Sequence, residues 1–207
     1  MKDFNSEEHL TKIAKNYETF VAFCNQVGPR RKEIQVMLDH LGERLLTTPA
    51  SSREVFHNCW PGGLVDHSLR VMRNTYKLLK VMGWEGKFPK ESIIISALFH
   101  DLGKVGSVDE DHYVPADEWQ KKRGQLYTYN PKLQFMLNSH RALFLLQHFG
   151  IPLTEDEYMA ILLNDGPEAS ENTAYNMKEP TLAVVIHQAD RLSCEEEKLL
   201  ARDETSP

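Results

Sequence analysis

Nine histidines and thirty acidic residues are spread over 207 positions. Four of these residues stand apart because their neighbours are apolar at helical spacing. His67 comes three residues after Leu64 and four before Val71, which places it on the inward stripe of a helix. His100 and Asp101 close the most apolar stretch of the chain, Ile93 to Phe99. Asp190 follows Ala183 and Ile186 on another inward stripe. A carboxylate buried without a partner costs several kcal/mol, so each inward aspartate requires a counter-charge or hydrogen bonds. Two of them beside two inward imidazoles are most simply explained by one shared cation. Neutral imidazole nitrogen and carboxylate oxygen form the donor set that suits Mn²⁺, Fe²⁺, Co²⁺, Ni²⁺ or Zn²⁺. Each residue alone means little: a lone histidine on an apolar helix face is ordinarily a core residue, and adjacent His-Asp pairs arise by chance.

The elements that must bring these four together read as helices. Leu10, Ile13, Ala14, Tyr17, Phe20, Val21 and Cys24 make one face of a helix over about 6–27. Gly28-Pro29 stops it, with Pro29 suited to open the next helix, which carries Ile34, Met37, Leu38, Leu41 and Leu45 and ends near Thr47–Pro49. A loop from Ala50 to Gly63 precedes the helix of His67. Pro89 marks the start of a short apolar helix expected to run to about Lys104. Residues 105–131 are polar, with Tyr113, Trp119, Tyr127 and Tyr129 interspersed, and read as a long loop or lid. Helices resume at about 131–149. Thr154 and Glu157 form a capping box for a further helix that gives out at Asn164-Asp165-Gly166. Pro180 opens a last helix through Leu200. No convincing alternating strand is visible. The fold class is therefore all-α, a helical bundle with an irregular lid segment. Residues 1–50 form an N-terminal helical segment packed on the core, and residues 51–200 form the main domain.

Composition narrows the function. Twenty-four Lys and Arg against thirty Asp and Glu give a net charge of −6, which argues against a surface that grips long duplex nucleic acid. It leaves room for a small phosphorylated ligand in a local pocket. Cys24, Cys59 and Cys194 are widely spaced and form no CxxC pair, so three thiols in a reducing compartment are expected. No apolar run approaches the roughly 20 residues of a membrane span, and the first residues lack a signal-peptide pattern. The expected location is cytoplasmic.

In chain order, His67, His100-Asp101 and Asp190 resemble the signature of the HD-domain metal-dependent phosphohydrolase superfamily. His57, Gly62-Gly63-Leu64, His67 and Val71 are similar to the HxxxxGGLxxHxxxV segment of the branch that includes YhaM-type 3′–5′ exoribonucleases and HD-type relaxases. Ala97 to Lys104 resembles the A-L-x-H-D-x-G-K core, and His187 to Arg191 the closing helix. Residues 105–190 also resemble small stand-alone bacteriophage HD proteins, with an aromatic lid (Tyr113, Trp119, Arg123-Gly124, Tyr127, Asn130) and the Asp165-Gly166 loop. The resemblance covers about 55–190. It implies that His67, His100, Asp101 and Asp190 hold a divalent transition metal, which lowers the pKa of a water and neutralises phosphate charge.

Further roles follow with alternatives beside them. Lys104, one turn past His100, points at the same phosphate or serves as a solvated lysine at a helix end. His57 binds phosphate, acts as general acid or packs. His140 falls where two-metal relatives supply another histidine, giving a candidate catalytic group and a second metal nearby. Those relatives often carry a further histidine where this chain has Asn164, so one metal is favoured. His187 orients Asp190 or packs, while His9, His40, His112 and His148 read as ordinary. Arg53, Tyr113, Trp119, Arg123 and Asp165 join Lys104 and His57 as candidate substrate-binding residues. Lid aromatics stack nucleobases or pin their own loop. The expected partner is a small phosphorylated substrate, a nucleotide by preference. The rivals are a 3′–5′ exonuclease or phosphodiesterase on short oligonucleotides, and a non-catalytic HD scaffold that binds a nucleotide or a partner protein.

Overall fold

The computed structural model describes residue 4 and residues 6–203. The helices are α1 (Glu7–Cys24), α2 (Arg31–Thr47), α3 (Gly63–Val81), α4 (Lys90–Phe99), α5 (Glu118–Lys121), α6 (Asn138–His148), α7 (Glu155–Leu162) and α8 (Thr181–Asp203). Turns of 3₁₀ helix occupy Gly28–Arg30, Leu102–Val105 and Ser170–Tyr175. The fold is all-α apart from one small hairpin. None of these helices is long and apolar enough to cross a membrane.

The ends of the helices follow from local chemistry. Ser6 caps α1 by accepting from the His9 N–H, and Glu7 and Glu8 complement the dipole in the first turn. Pro29 lies in a 3₁₀ turn that runs directly into α2. The Thr154–Glu157 capping box at α7 is complete, with both reciprocal hydrogen bonds formed.

One contiguous core joins the N-terminal helices to the helices of the site. Phe20, Ile34, Met37 and Leu41 pack in the same cluster as Leu64, Val71, Ile94, Leu98, Leu145, Ile161 and Ile186. Phe20 meets Phe99 edge-on at 5.9 Å between centroids. Arg30 reaches from the start of α2 to the fully buried Glu157 of α7. Within this core α3 packs on α4 and α8, and α7 packs on the same two helices. The beginning of α3, the end of α4 and the middle of α8 therefore face a common centre.

Two expectations need correction. The helix of Ile93–Phe99 does not continue to Lys104: α4 ends at Phe99, and the chain tightens into the 3₁₀ turn Leu102–Val105. The reason is a close approach at Gly103, where a Cβ would lie 2.1 Å from the Asn138 carbonyl oxygen at the start of α6. Gly103→Ala should force this turn off α6 and cost about 1–3 kcal/mol, read as a lower urea midpoint at unchanged slope. The lid is also not wholly irregular. Strand β1 (Tyr113–Pro115) pairs antiparallel with β2 (Tyr127–Tyr129), Tyr113 opposite Tyr129, with α5 between them. Three residues per strand are too few for an alternating pattern to declare itself.

Candidate metal centre

His67 sits in the second turn of α3, His100 caps the C-terminal end of α4, Asp101 follows it, and Asp190 lies midway along α8. Their side chains converge. His67 Nε2 lies 3.0 Å from Asp190 Oδ1 and 3.7 Å from Asp101 Oδ2. His100 Nε2 lies 3.5 Å from Asp101 Oδ2 and 3.9 Å from Asp190 Oδ1. Both imidazoles are fully buried, and neither Nε2 has an aligned hydrogen-bond partner.

The opposite ring nitrogens decide what those Nε2 atoms can do. His100 Nδ1 is 2.9 Å from the Ala97 carbonyl oxygen, which can only accept, so Nδ1 donates there and Nε2 is the nitrogen left to face a ligand. His67 Nδ1 is 3.0 Å from Glu197 Oε1, the carboxylate–histidine arrangement that orients a metal-ligating imidazole. Two buried ring nitrogens facing two carboxylates fit one divalent cation. His67, His100 and Asp101 offer ligand atoms that all lie within 4.8 Å of one another, and Asp190 Oδ1 lies within 3.9 Å of both imidazoles.

Charge supports the same fit. Burial opposes a proton on His67, but the Glu197 and Asp190 carboxylates outweigh it and push the pKa up to about 10. Asp190, despite its burial, is held down to about 2 by His67 and then His100. That raised pKa sets a proton on His67 in competition with a cation at this point. A metal must displace that proton, so affinity should rise with pH, by up to about tenfold per unit, until about pH 10. Calorimetry near pH 7.5 in buffers of different ionisation enthalpy should read about one proton released per ion bound.

Lys104 forms a short ion pair with Asp101 Oδ2. The His57 ring lies tilted against the His67 ring at 4.6 Å between centroids, and its Nε2 is buried without a partner. Burial, then the His67 and Lys104 charges, lower its pKa to about 2, so the ring is neutral. His57, His67 and Cys194 also offer ligand atoms within 4.8 Å of one another, which brings Cys194 to the edge of the centre. Asp165 stands at the exposed rim, its pKa raised by desolvation and by the Asp101 carboxylate. Tyr113 is close enough to Lys104 for the two to shift each other, although burial dominates and takes the phenol up to about 12.

The structure does not bring the remaining candidates to this point. His140 is exposed on α6 and lines a groove of about 760 Å³ with Leu143, Phe144, Gln147 and Tyr158. It belongs to no ligand cluster among the described residues. Trp119 is 62 % exposed and carries Arg123 stacked on its ring at 3.8 Å, so this pair faces solvent on the lid. Arg53 is exposed and bonds Gln125, tying its loop to the lid. His187 bonds the Asn164 carbonyl oxygen through Nδ1 rather than Asp190. Asn164 is buried behind the centre, with Nδ2 donating to the His100 carbonyl oxygen.

The family model of the HD domain matches residues 64–194. The chain belongs to the HD-domain family. This superfamily comprises metal-dependent phosphohydrolases that bind divalent ions. No curated protein and no solved structure matches the chain.

Three residues at the HD site escaped the sequence reading. Glu197 holds His67 from a position seven residues past Asp190 on α8, on the same inward stripe as Ile186 and Ser193. The stripe itself was the available signal. Arg141, next to His140, is buried on the same face of α6 as Leu145. His112 is buried in the lid, where no periodicity marks it.

Proposed function

We propose that this HD-domain chain is a cytoplasmic phosphohydrolase acting on a nucleotide or another small phosphoester. The observation that carries the reading is the convergence of the buried Nε2 atoms of His67 and His100 on the Asp101 and Asp190 carboxylates. A divalent ion held by these four residues supplies Lewis-acid polarisation to a phosphoryl oxygen and to an attacking water. Lys104, fixed by Asp101, presents positive charge to the same phosphoryl group. His57 is neutral, and its partnerless Nε2 beside His67 makes it a hydrogen-bonding group for the substrate rather than a general base near pH 7. Glu197 holds the His67 ring in place throughout. The net charge of −6 favours a small substrate over a long polymer. Three free cysteines fit a reducing compartment.

The test is elemental analysis of the purified protein, followed by a phosphoester screen with that metal supplied. Metal-dependent release of inorganic phosphate from mononucleotides or other phosphomonoesters, lost with a chelator and restored by metal, is expected. Stepwise shortening of a labelled oligonucleotide would replace this reading with a 3′–5′ exonuclease. Tight nucleotide binding without hydrolysis by the metal-loaded protein would replace it with a scaffold.

A further inference from the structure

Two buried polar side chains beside the metal centre take no part in holding it. His112 is 7 % exposed, and neither ring nitrogen has a hydrogen-bond partner. Arg141 is 4 % exposed; Nη2 donates to the Gln134 carbonyl oxygen at 2.7 Å, and Nε has no partner. No carboxylate pairs with Arg141 among the described residues. A buried guanidinium without a counter-charge is costly, and a buried imidazole with two idle nitrogens adds to that cost. A fold that keeps both in one place has a use for them.

Both pack against the turn that carries Lys104. The His112 backbone N–H donates to the Val105 carbonyl oxygen at 3.3 Å. On the other side, a Cβ on Gly103 would lie 3.0 Å from the Arg141 Cβ. Lys104 lies between these two anchor points and is joined to Asp101. Burial and the nearby Arg141 and Lys104 charges hold the His112 pKa at about 4, which keeps the ring neutral near pH 7 with one N–H to donate. The rings of Tyr113 and Tyr129 close over it at 4.6 Å and 5.1 Å.

Two cations and a neutral N–H donor beside a metal centre suit an anion whose oxygens only accept. We infer that Arg141 and His112, with Lys104, take the outer oxygens of a terminal phosphate, so that the substrate is a phosphomonoester rather than an internal diester. This rests on the phosphohydrolase reading and narrows its substrate. A terminal phosphate brings close to two negative charges and three non-bridging oxygens, so one oxygen can go to the metal while others remain for these donors. A diester brings one charge and a second esterified group. That group would have to enter a region where His112 and Arg141 are more than nine-tenths buried.

The probe is inorganic phosphate, titrated by calorimetry into metal-loaded wild type, Arg141→Met and His112→Phe. Phosphate binding should weaken about 10–100-fold in Arg141→Met and about tenfold in His112→Phe, at unchanged metal content. His112→Phe keeps a ring against Tyr113 and Tyr129, so it decides the matter should Arg141→Met fail to fold. Wild type should cleave p-nitrophenyl phosphate in preference to bis-p-nitrophenyl phosphate, and Arg141→Met should lose that preference through the monoester alone. Unchanged phosphate affinity in the folded variants, or no phosphate binding by metal-loaded wild type, overturns the pocket. A wild type that cleaves only the diester overturns the monoester assignment and leaves the phosphohydrolase standing. A metal-loaded wild type that cleaves neither ester removes the phosphohydrolase reading, while phosphate affinity still decides the pocket.

Discussion

Asp101→Asn should empty the metal centre and abolish phosphoester hydrolysis in the same preparation. Asp101 Oδ2 lies within 3.7 Å of both His67 Nε2 and His100 Nε2, and it also pairs with Lys104. An amide keeps the shape but removes the charge, and its oxygen is a poor ligand for a divalent ion beside imidazoles. Metal should fall from about one equivalent to under about a tenth, and turnover by about 10³-fold or more. The buried Lys104 ammonium loses its counter-charge at the same time, which adds about 3–5 kcal/mol of destabilisation. His100→Ala separates the two effects. It changes no carboxylate and leaves the Lys104 pair intact, so it should lose metal with less loss of stability. Elemental analysis, steady-state rates and urea melts on the two variants check this together. Metal retained in Asp101→Asn would take Asp101 out of the ligand set.

The four central residues were legible because each is a polar group on an otherwise apolar helical stripe, a placement that only a partner or an ion makes tolerable. The capping box at Thr154 was legible because its chemistry is local. What failed was information that depends on tertiary placement. His140 has an attractive spacing, yet the stripe of α6 runs through Arg141, Ala142, Leu145 and Leu146, which turns His140 outward and Arg141 inward. Reading the stripe before the residue type would have chosen Arg141. His112 and the short strands gain their positions from pairing across α5, with Tyr113 opposite Tyr129. No window of sequence contains that contact. Glu197 lies outside the residues that match the family model, so the motif could not supply it, although the periodicity of α8 points to it.

Glu197→Ala should weaken metal binding about 10–100-fold, the usual cost of removing the group that orients a ligating histidine. Glu197 is 4 % exposed overall, and its carboxylate accepts from His67 Nδ1 at 3.0 Å while pairing with Arg70 Nε at 3.1 Å. Its loss breaks a buried ion pair, for which about 3–5 kcal/mol is usual. Arg70 keeps Asp66 at 3.4 Å and Glu196 at 3.0 Å, so the destabilisation should fall at the lower end of that range. Glu197→Gln distinguishes orientation from charge. Its amide oxygen still accepts the His67 N–H, which preserves the ring's direction, but the negative charge that makes His67 a stronger donor is gone. Affinity should therefore rank wild type, then Glu197→Gln, then Glu197→Ala, with every variant assayed at the same pH. The same series should shrink the proton release that accompanies metal binding, because the Glu197 carboxylate is the main support for the proton on His67 in the metal-free protein. Equal affinity across the three proteins would mean that the packing around a fully buried imidazole, rather than the carboxylate behind it, aims Nε2 at the metal.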